Sequence, residues 1–469
     1  MSQPIARFTQ GNLWRHVSVM SLTNATGLMM VFLVDFIDIY FISLLGESAL
    51  AAGVGFAGSV LFFVRSIALA LAITTSVLVS RHLGMNDRDG AARMAMNIPL
   101  LGFVIIAVVA TIAFIFRDTL LAWVGASGPT KQYAADYLAI VIPGTLAMLL
   151  GMCGGQIIRA MGEAKLSMWI AITGALTNAV LDPIFIFVFD WGLSGAAWAT
   201  VASQVVALSL SWWAIIGRFR LITRWSFSAW LQDISPAMAI AFPSVLTNIA
   251  TPFSAAFAAR MMAPFGDGAV AAFAVVMRLV PMSLAVVFAL SGAVAPIVGQ
   301  NAGAGRFDRV RDTLWQALKF NWLVVVAMTT VLFLLRHQLP HWFSLNDEAV
   351  ELLVLFCSGM TLLFGFNGMI FFLNASFNNL GRPFYSTLTN LARVLLGSVP
   401  LVYLGQHLFG ARGVLYGYMS EGIIVSIIGW LVAQRLVARY ESGELQLRRQ
   451  RRRDQRRSAA LWPFSKRWP

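Results

Sequence analysis

The chain has 469 residues, of which 58% are hydrophobic and 12% are charged, and its mean hydropathy is +0.75. Soluble domains average about 25% charged residues, so this composition excludes a sizeable water-soluble domain and indicates a polytopic membrane protein with short loops. The net charge of +13 lies mostly in loops and in a basic tail without interleaved aromatic residues, which favours contact with anionic membrane lipid and argues against nucleic acid as a partner.

Twelve apolar segments are long enough to cross about 30 Å of hydrocarbon, which takes about 20 helical residues. They predict an all-α polytopic membrane protein, and the polar N-terminus that leads directly into the first segment predicts no signal peptide. We number the segments as spans 1 to 12, at residues 17–44, 49–80, 95–116, 135–157, 166–189, 195–216, 236–262, 270–297, 314–335, 350–376, 384–405 and 413–435.

The loops on the two sides of these spans differ in their content of lysine and arginine. The N-terminal segment and the alternate loops carry fourteen, whereas the opposite loops carry only Arg117, Lys131, Arg336 and Arg412. Because basic residues are retained on the cytoplasmic side of a membrane, we predict that both termini are cytoplasmic. The predicted location is the bacterial inner membrane.

Loop glycines recur at a nearly constant offset along the chain. The pairs are Gly84 and Gly303, Gly162 and Gly381, and Gly195 and Gly413, which are 219, 219 and 218 residues apart. This repeat predicts two pseudo-symmetric lobes of six spans, related by an axis along the membrane normal. We expect an N-lobe at 1–217, a cytoplasmic connection at 218–235, a C-lobe at 236–436 and a basic cytoplasmic tail at 437–469. The aromatic and basic pattern of residues 218–233 predicts a separate amphipathic helix at the membrane surface.

Polar residues inside the spans of the predicted N-lobe point to a site. A carboxylate at the centre of a span costs roughly 2.5–3.5 kcal/mol on insertion scales, and it usually faces a partner, a cavity or an ion path. Asp38 in span 1 and Asp182 in span 5 are predicted at a similar depth, roughly 12 Å below one surface. Asn178 shares a helix face with Asp182, and Thr200 of span 6 comes to the same level. Pro183 is predicted to kink span 5 and to free carbonyl groups there.

These residues predict a coupling site for a monovalent cation or a proton. Carboxylate, amide, hydroxyl and carbonyl oxygens suit Na⁺, and two neighbouring carboxylates also suit a proton carrier. The sequence does not choose between Na⁺ and H⁺. The alternative is a structural role, in which Asp182 satisfies a broken helix and Asp38 pairs with an arginine such as Arg65. Asp35, one turn before Asp38, is a candidate relay residue.

The predicted C-lobe does not repeat this set of residues. Its only comparable acid is Glu421 in span 12, and Arg393 in span 11 is the potential partner. A buried ion pair is the simpler interpretation, and a secondary polar site for a proton or a substrate is the alternative. Cys153 and Cys357 lie far apart in apolar segments, so we expect small core residues there and no cofactor besides the coupling ion.

Several motifs carry a family resemblance. They are VDFIDIYFISLLGESALAA in span 1, RAMGEAK after span 4, TNAVLDP and GLSGAAWATV in spans 5 and 6, and GQNAGAGRFDRVRD after span 8. With these motifs the chain resembles the multidrug and toxic compound extrusion (MATE) transporters over nearly all of its spans. The family pairs an acid of span 1 with an Asn and an Asp of span 5 and a Thr of span 6, which match Asp38, Asn178, Asp182 and Thr200. An acid of span 7 that is typical of the NorM-type branch is missing, so the chain is more similar to the DinF-type branch.

The resemblance implies a secondary active exporter and not an enzyme. The expected activity is H⁺- or Na⁺-coupled antiport of amphipathic organic cations or zwitterions by alternating access, carried out by a monomer. The main alternative is a lipid-linked oligosaccharide flippase of the same superfamily, which requires a cationic cavity. The residues that support this alternative are the span arginines Arg65, Arg260, Arg278 and Arg393.

Overall fold

The computed structural model describes residues 6–343 and 347–444, and the described residues form helices and no strands. The basic run at 448–457 of the predicted tail lies outside them. The first half of the chain forms α1 (Leu13–Ser43), α2 (Ser48–Gly84), α3 (Arg88–Ile115), α4 (Arg117–Trp123), α5 (Gly128–Ala160), α6 (Ala164–Pro183) and α7 (Gly192–Trp213). The second half forms α8 (Phe227–Met262), α9 (Asp267–Ser283), α10 (Ala285–Gly303), α11 (Phe307–Leu335), α12 (Leu339–Trp342), α13 (Asp347–Cys357), α14 (Phe364–Asn379), α15 (Pro383–Ala392), α16 (Val399–Ser420) and α17 (Ile423–Glu441).

Eleven helical stretches of the described chain are long and apolar enough to cross a membrane. The last of them, Pro383–Glu441, has 59 residues, which is far more than one crossing of about 30 Å requires. Its chain turns back at Gly410, where φ is 60° and ψ is −140°, a conformation that glycine adopts at little cost. This stretch therefore contains two crossings, and the total of twelve confirms the predicted all-α fold class.

Three crossings contain a π-helical segment, which ends the crossing in two of them and lies within it in the third. The π-helical segments are Ile184–Val188 after α6, Ala214–Arg218 after α7 and Arg393–Ser398 between α15 and α16. The first begins directly after Pro183, the position at which the sequence predicts irregular helix, because proline lacks the N–H that an α-helix needs. π-Helical turns often occur at functional sites. Two of these three segments follow helices that carry predicted site residues.

The helices form two lobes, with α1 to α7 in the N-lobe and α8 to α17 in the C-lobe. Each lobe has its own apolar core. A further apolar cluster joins the two lobes, and in this cluster Val17 and Met20 of α1 pack with Leu290 and Ile297 of α10. We call the side of the molecule that carries the segment Arg7–Thr9 and the end of α17 the terminal face. The sequence predicts that this face is cytoplasmic.

The lobes approach one another most closely at the terminal face, where α2 crosses α10. A Cβ atom added to Gly84 would lie 2.1 Å from the backbone oxygen of Gln300, and one added to Gly303 would lie 2.2 Å from the backbone oxygen of Arg81. No real side chain fits at such distances. The two glycines therefore allow the backbones of the two lobes to touch.

The connection between the lobes differs from the prediction of a separate amphipathic helix. Residues 219–226 are not helical, and α8 begins at Phe227 and continues to Met262. The aromatic and basic pattern instead marks the first turns of α8, which bind the N-lobe. The Trp230 ring donates to the Asn97 carbonyl at 3.2 Å, and the Asn97 amide donates to Asp233 at 2.8 Å. The prediction was wrong because a surface helix and the start of a span at the membrane surface share this pattern.

Candidate functional site

Three helices of the N-lobe bring the predicted coupling residues to one place. The Asn178 Nδ2 of α6 donates a hydrogen bond to Asp38 Oδ1 of α1 at 3.1 Å. The carboxylate of Asp182, one turn further along α6, lies beside that of Asp38. The structure thus places together an amide and two carboxylates that are up to 144 residues apart in the chain.

Burial makes this group of side chains unusual. Asp182 is 0% exposed and Asn178 is 6% exposed, whereas Asp38 is half-buried. Within residues 6–343 and 347–444, no donor stands in hydrogen-bonding geometry to either oxygen of Asp182, although the side chains of Asn178 and Asp38 lie beside it. Neither carboxylate forms an ion pair with Lys, Arg or His in these ranges. An ionised carboxylate that is buried without a partner is very costly, and two adjacent negative charges repel each other. A proton or a cation between them relieves both costs.

The predicted residue Thr200 lies at the edge of this group. Its hydroxyl donates to the carbonyl of Ala196 at 3.1 Å, and its side chain also contacts the buried Tyr137 of α5. The hydroxyl of Ser203 is linked to the carboxylate group through Asn178, because it lies 3.4 Å from the Asn178 side-chain oxygen, to which it donates.

The sequence reasoning missed Ser203 and Tyr137. Ser203 comes three residues after Thr200 and therefore shares its helix face, so this spacing was a signal that could have found it. Tyr137 belongs to span 4, which has no predicted site residue. Its contact with Thr200 depends on the packing of α5 against α7, and the sequence carries no signal for it.

The candidate relay Asp35 lies three residues before Asp38 on α1, about 60° from it around the helix axis, and it is within electrostatic range of Asp38. Its side chain is exposed, and it is within electrostatic range of the exposed Arg65 of α2 without forming an ion pair. Asn24 of the same helix faces Gly292 of the C-lobe. Asp35 projects in nearly the same direction as Asn24, because the two positions differ by about 20° around the helix axis. Asp35 therefore faces the space between the lobes, and its role as a relay stays a prediction.

The C-lobe holds a second polar group with a different character. Arg393 and Glu421 form an ion pair of 2.8 Å, and their side chains are only 3% and 2% exposed. Ser254 of α8 hydrogen-bonds to both Glu421 and Ser398, and Asn367 of α14 lies 3.4 Å from Arg393. This geometry corresponds to the simpler interpretation, a buried pair whose charges satisfy each other.

The donor set of the N-lobe group fits a hard monovalent cation or a proton. The group offers side-chain oxygens from Asp38, Asp182, Asn178 and Ser203. Its one nitrogen, Asn178 Nδ2, already donates a hydrogen bond to Asp38. Na⁺ prefers oxygen ligands of this kind. The unpartnered, buried oxygens of Asp182 are the positions that a cation or a proton would satisfy.

Comparison with known proteins identifies the family. The MatE family model matches residues 25–184 and 243–404, two segments whose starts are 218 residues apart. The chain is 30% identical over 423 residues to a protein of Shewanella oneidensis named FAD transporter, with 89% of this chain and 93% of that protein covered. It is 22% identical over 432 residues to the multidrug export protein MepA of Staphylococcus aureus, with 91% and 94% covered.

Solved structures share the fold. The Vibrio cholerae MATE transporter VcmN in its bent form has a TM-score of 0.85 at 23% identity, with 91% of this chain and 98% of that chain covered. A transporter of Pyrococcus furiosus, described by the reverse polarity of its binding pocket, has a TM-score of 0.86 at 21% identity, with 94% and 99% covered. Since the family model covers both halves of the chain, this protein belongs to the MatE family of multidrug and toxic compound extrusion transporters, and it is not an enzyme.

Proposed function

We propose that this protein is a secondary active exporter that couples the entry of H⁺ or Na⁺ to the export of small organic molecules. The observation that supports this proposal most strongly is the contact of Asp38, Asn178 and Asp182 inside the N-lobe, with two carboxylates and no basic partner among the described residues. A site of this kind takes up a positive charge and releases it. We propose that it works in a monomer of the bacterial inner membrane, with both termini in the cytoplasm.

The residues of the site suggest how the coupling ion acts. When Asp38 and Asp182 are both ionised, their repulsion separates α1 from α6. Binding of H⁺ or Na⁺ removes the repulsion and draws α1 toward α6, and the π-helix that follows Pro183 gives this part of span 5 an irregular backbone that can adjust. By linkage, if the ion disfavours substrate binding, the substrate must weaken ion binding by the same factor.

The substrate class is inferred from the sequence and from the relatives. The sequence predicts amphipathic organic cations or zwitterions, while the relatives are named for multidrug export and for FAD transport. Apolar surface supplies affinity at about 25 cal/mol per Å² with little geometric precision, so a cleft of this type accommodates unrelated aromatic molecules. We propose small aromatic organic molecules as the general class.

Transport by purified protein in lipid vesicles tests the proposal. Vesicles with inward-facing binding sites are loaded with ethidium or with FAD, and a gradient of H⁺ or Na⁺ is imposed separately. Movement of either compound that requires one of the two gradients supports the proposal and identifies the ion. Equal movement with and without both gradients contradicts it.

The flippase alternative predicts a different result in the same vesicles. A fluorescent lipid-linked diphosphate sugar would then change leaflet, and neither ethidium nor FAD would move. The exposed arginines Arg65 and Arg278 favour keeping this alternative in the test, whereas Arg393 is buried in its pair with Glu421 and does not contribute to a cationic cavity.

A further inference from the structure

We propose that Arg65 and Arg278 form an anion subsite on the two walls of the cleft between the lobes, and that this subsite binds the phosphate group of an organic substrate. The inference rests on the proposed export function and narrows its substrate class. It favours phosphate-bearing aromatic molecules over the simple organic cations that the sequence predicts.

Arg65 lies on the face of α2 that is directed at the C-lobe. In the half of α2 remote from the terminal face, Gly55, Gly58 and Arg65 are exposed on one side of the helix. Ser80 lies about 60° from Arg65 around the helix axis, and its hydroxyl donates to Asn379 of the C-lobe at 3.3 Å. The side of α2 that contacts the C-lobe at Ser80 is therefore exposed in the other half of the helix. Arg65 lies at the edge of this exposed side.

Arg278 lies on an exposed side of α9 in the C-lobe, and a charged residue inside a span usually faces a water-filled cavity. Ala274, Arg278 and Met282 of α9 are exposed on one side, and α10 continues α9 after a bend at Leu284. Beyond this bend, α10 carries two glycines that face the N-lobe. They are Gly292, whose added Cβ would lie 3.6 Å from Asn24 Nδ2, and Gly299, whose added Cβ would lie 2.1 Å from Ser80 Oγ.

The two arginines face the same space from opposite lobes. Arg65 lies 19 residues from Gly84 and Arg278 lies 25 residues from Gly303, the glycines at which the lobes touch. At about 1.5 Å per residue the two positions differ in height by roughly 9 Å.

The charges around these arginines leave the cleft wall positive. Neither Arg65 nor Arg278 forms a hydrogen bond or an ion pair within the described part of the chain. Asp35 is the acid within electrostatic range of Arg65, whereas Asp182 is buried within the N-lobe. A charged residue inside a span usually faces a partner or a water-filled cavity, and two exposed arginines without a partner need an anion there.

The chemistry of the guanidinium group selects phosphate. Arginine stays charged and presents a planar fork of donors that matches phosphate oxygens, and such charge-assisted bonds are roughly twice as strong as neutral ones. Phosphate on a soluble nucleotide and phosphate on a lipid headgroup share this chemistry. Competition between a soluble and a lipid-linked phosphate distinguishes the nucleotide from the headgroup.

The matched probes are FMN and riboflavin, which share the isoalloxazine ring and differ by one phosphate. Binding to the full-length purified protein in lipid nanodiscs is measured by quenching of flavin fluorescence for the wild type, Arg65→Gln, Arg278→Gln and Arg65→Lys. Arg336→Gln is the control, since it removes the same charge from a half-buried position between α11 and α12, where the guanidinium lies over the Phe333 ring. Thermal unfolding of each variant verifies that it is folded.

We expect FMN to bind about tenfold or more tightly than riboflavin, and each Gln variant to lose this difference, as one charge-assisted hydrogen bond accounts for a factor of this size. Arg65→Lys should recover part of the loss, and Arg336→Gln should bind like the wild type. Equal binding of FMN and riboflavin to the wild type, or full FMN preference in folded Arg65→Gln and Arg278→Gln, would overturn the subsite.

Further experiments identify the molecule that carries the phosphate, and they test the subsite independently of the transport function. Displacement of FMN by undecaprenyl phosphate, with the same arginine dependence, supports the subsite and assigns it to a lipid headgroup. Lack of displacement supports the subsite for a soluble molecule. Gradient-driven ethidium transport without any phosphate preference overturns the subsite but leaves the proposed function intact. Arginine-dependent FMN binding without gradient-driven transport of any compound contradicts the function and leaves the subsite intact.

Discussion

At the scale of single residues, the protein treats charges inside its spans in three different ways. Asp182 is buried without a hydrogen-bond partner among the described residues, Arg393 is buried against Glu421, and Arg65 and Arg278 are exposed to the space between the lobes. Each arrangement has a different consequence. We propose that the first binds a coupling ion, that the second stabilises the C-lobe, and that the third contacts the substrate.

The ion pair of the C-lobe gives a prediction about stability. Glu421→Gln removes the negative charge that balances Arg393 in a buried site, and breaking a buried pair in this way typically costs about 3–5 kcal/mol. The double variant Arg393→Met with Glu421→Leu removes both charges and should recover most of the loss. Thermal unfolding in detergent measures the loss of stability in Glu421→Gln and its recovery in the double variant.

A control pair sets the scale for this experiment. Arg412 and Glu351 pair with both side chains 57% exposed, and exposed pairs are worth about 0–1 kcal/mol, so Glu351→Gln should change the unfolding temperature little. If Glu421→Gln unfolded at the wild-type temperature and lost transport instead, the pair would be a secondary proton or substrate site.

At the scale of elements, the spans were predictable and the contacts between them were predictable only in part. The twelve crossings follow from apolar length, and Asn178 and Asp182 share a face because four residues make about one helical turn. The packing of α5 against α7, which brings Tyr137 to Thr200, has no local sequence signal. The start of α8 at Phe227 was missed because its first turns resemble a surface helix.

The crossing of α2 and α10 predicts how the lobes are held together. Gly303→Ala would place a Cβ atom 2.2 Å from the backbone oxygen of Arg81, so the lobes must separate at the terminal face. Spin labels on cysteines introduced at Asp89 and Arg306, one in each lobe and both exposed, should report a longer distance by double electron–electron resonance.

Gly58→Ala is the matched control for that experiment. Gly58 lies on the exposed face of the same helix α2, and nothing lies within 4 Å of an added Cβ. Its label distance should equal that of the wild type. An unchanged distance in Gly303→Ala as well would show that the close contact does not hold the terminal face shut.

The start of α3 gives a prediction that depends on pH. The backbone N–H of Gly90 donates to Asp87 at 2.8 Å, and this bond, followed by the bond with the His82 ring, holds the pKa of Asp87 below its ordinary value of 3.8. Because the pKa of Asp87 is lower in the folded than in the unfolded protein, ionised Asp87 stabilises the folded state. This stabilisation is fully present above pH 3.8 and is lost as the pH falls below it. Asp87→Ala should therefore cost about 1 kcal/mol at pH 7 and progressively less below pH 3.8.

Unfolding of Asp87→Ala by denaturant at pH 7 and at low pH measures this dependence. Asp89→Ala is the comparison, because Asp89 lies in the first turn of the same helix without the capping bond that Asp87 makes. Equal effects of the two substitutions at every pH would contradict the capping role.

At the scale of the whole molecule, two lobes of similar architecture have diverged in their polar residues. Among the described residues, the N-lobe holds two carboxylates without a basic partner and the C-lobe holds a buried ion pair. On the proposed mechanism, a coupling ion therefore changes the charge of one lobe only. For a cationic substrate, simple competition of charge would explain antiport. For a phosphate-bearing substrate, a proton or Na⁺ near the cleft attracts the substrate, so export requires that the ion act through a conformational change of α1 against α6.

Gradient-driven export by carboxylate variants tests the central claim most directly. In lipid vesicles with an imposed gradient of the coupling ion, Asp38→Asn and Asp182→Asn should each fall to the rate of vesicles without protein, while both variants stay folded. Asp35→Asn, which changes the same type of side chain one turn away on α1, should keep most of its export. Wild-type export by both Asp38→Asn and Asp182→Asn would contradict the coupling site, and a complete loss in Asp35→Asn alone would place the coupling in the cleft.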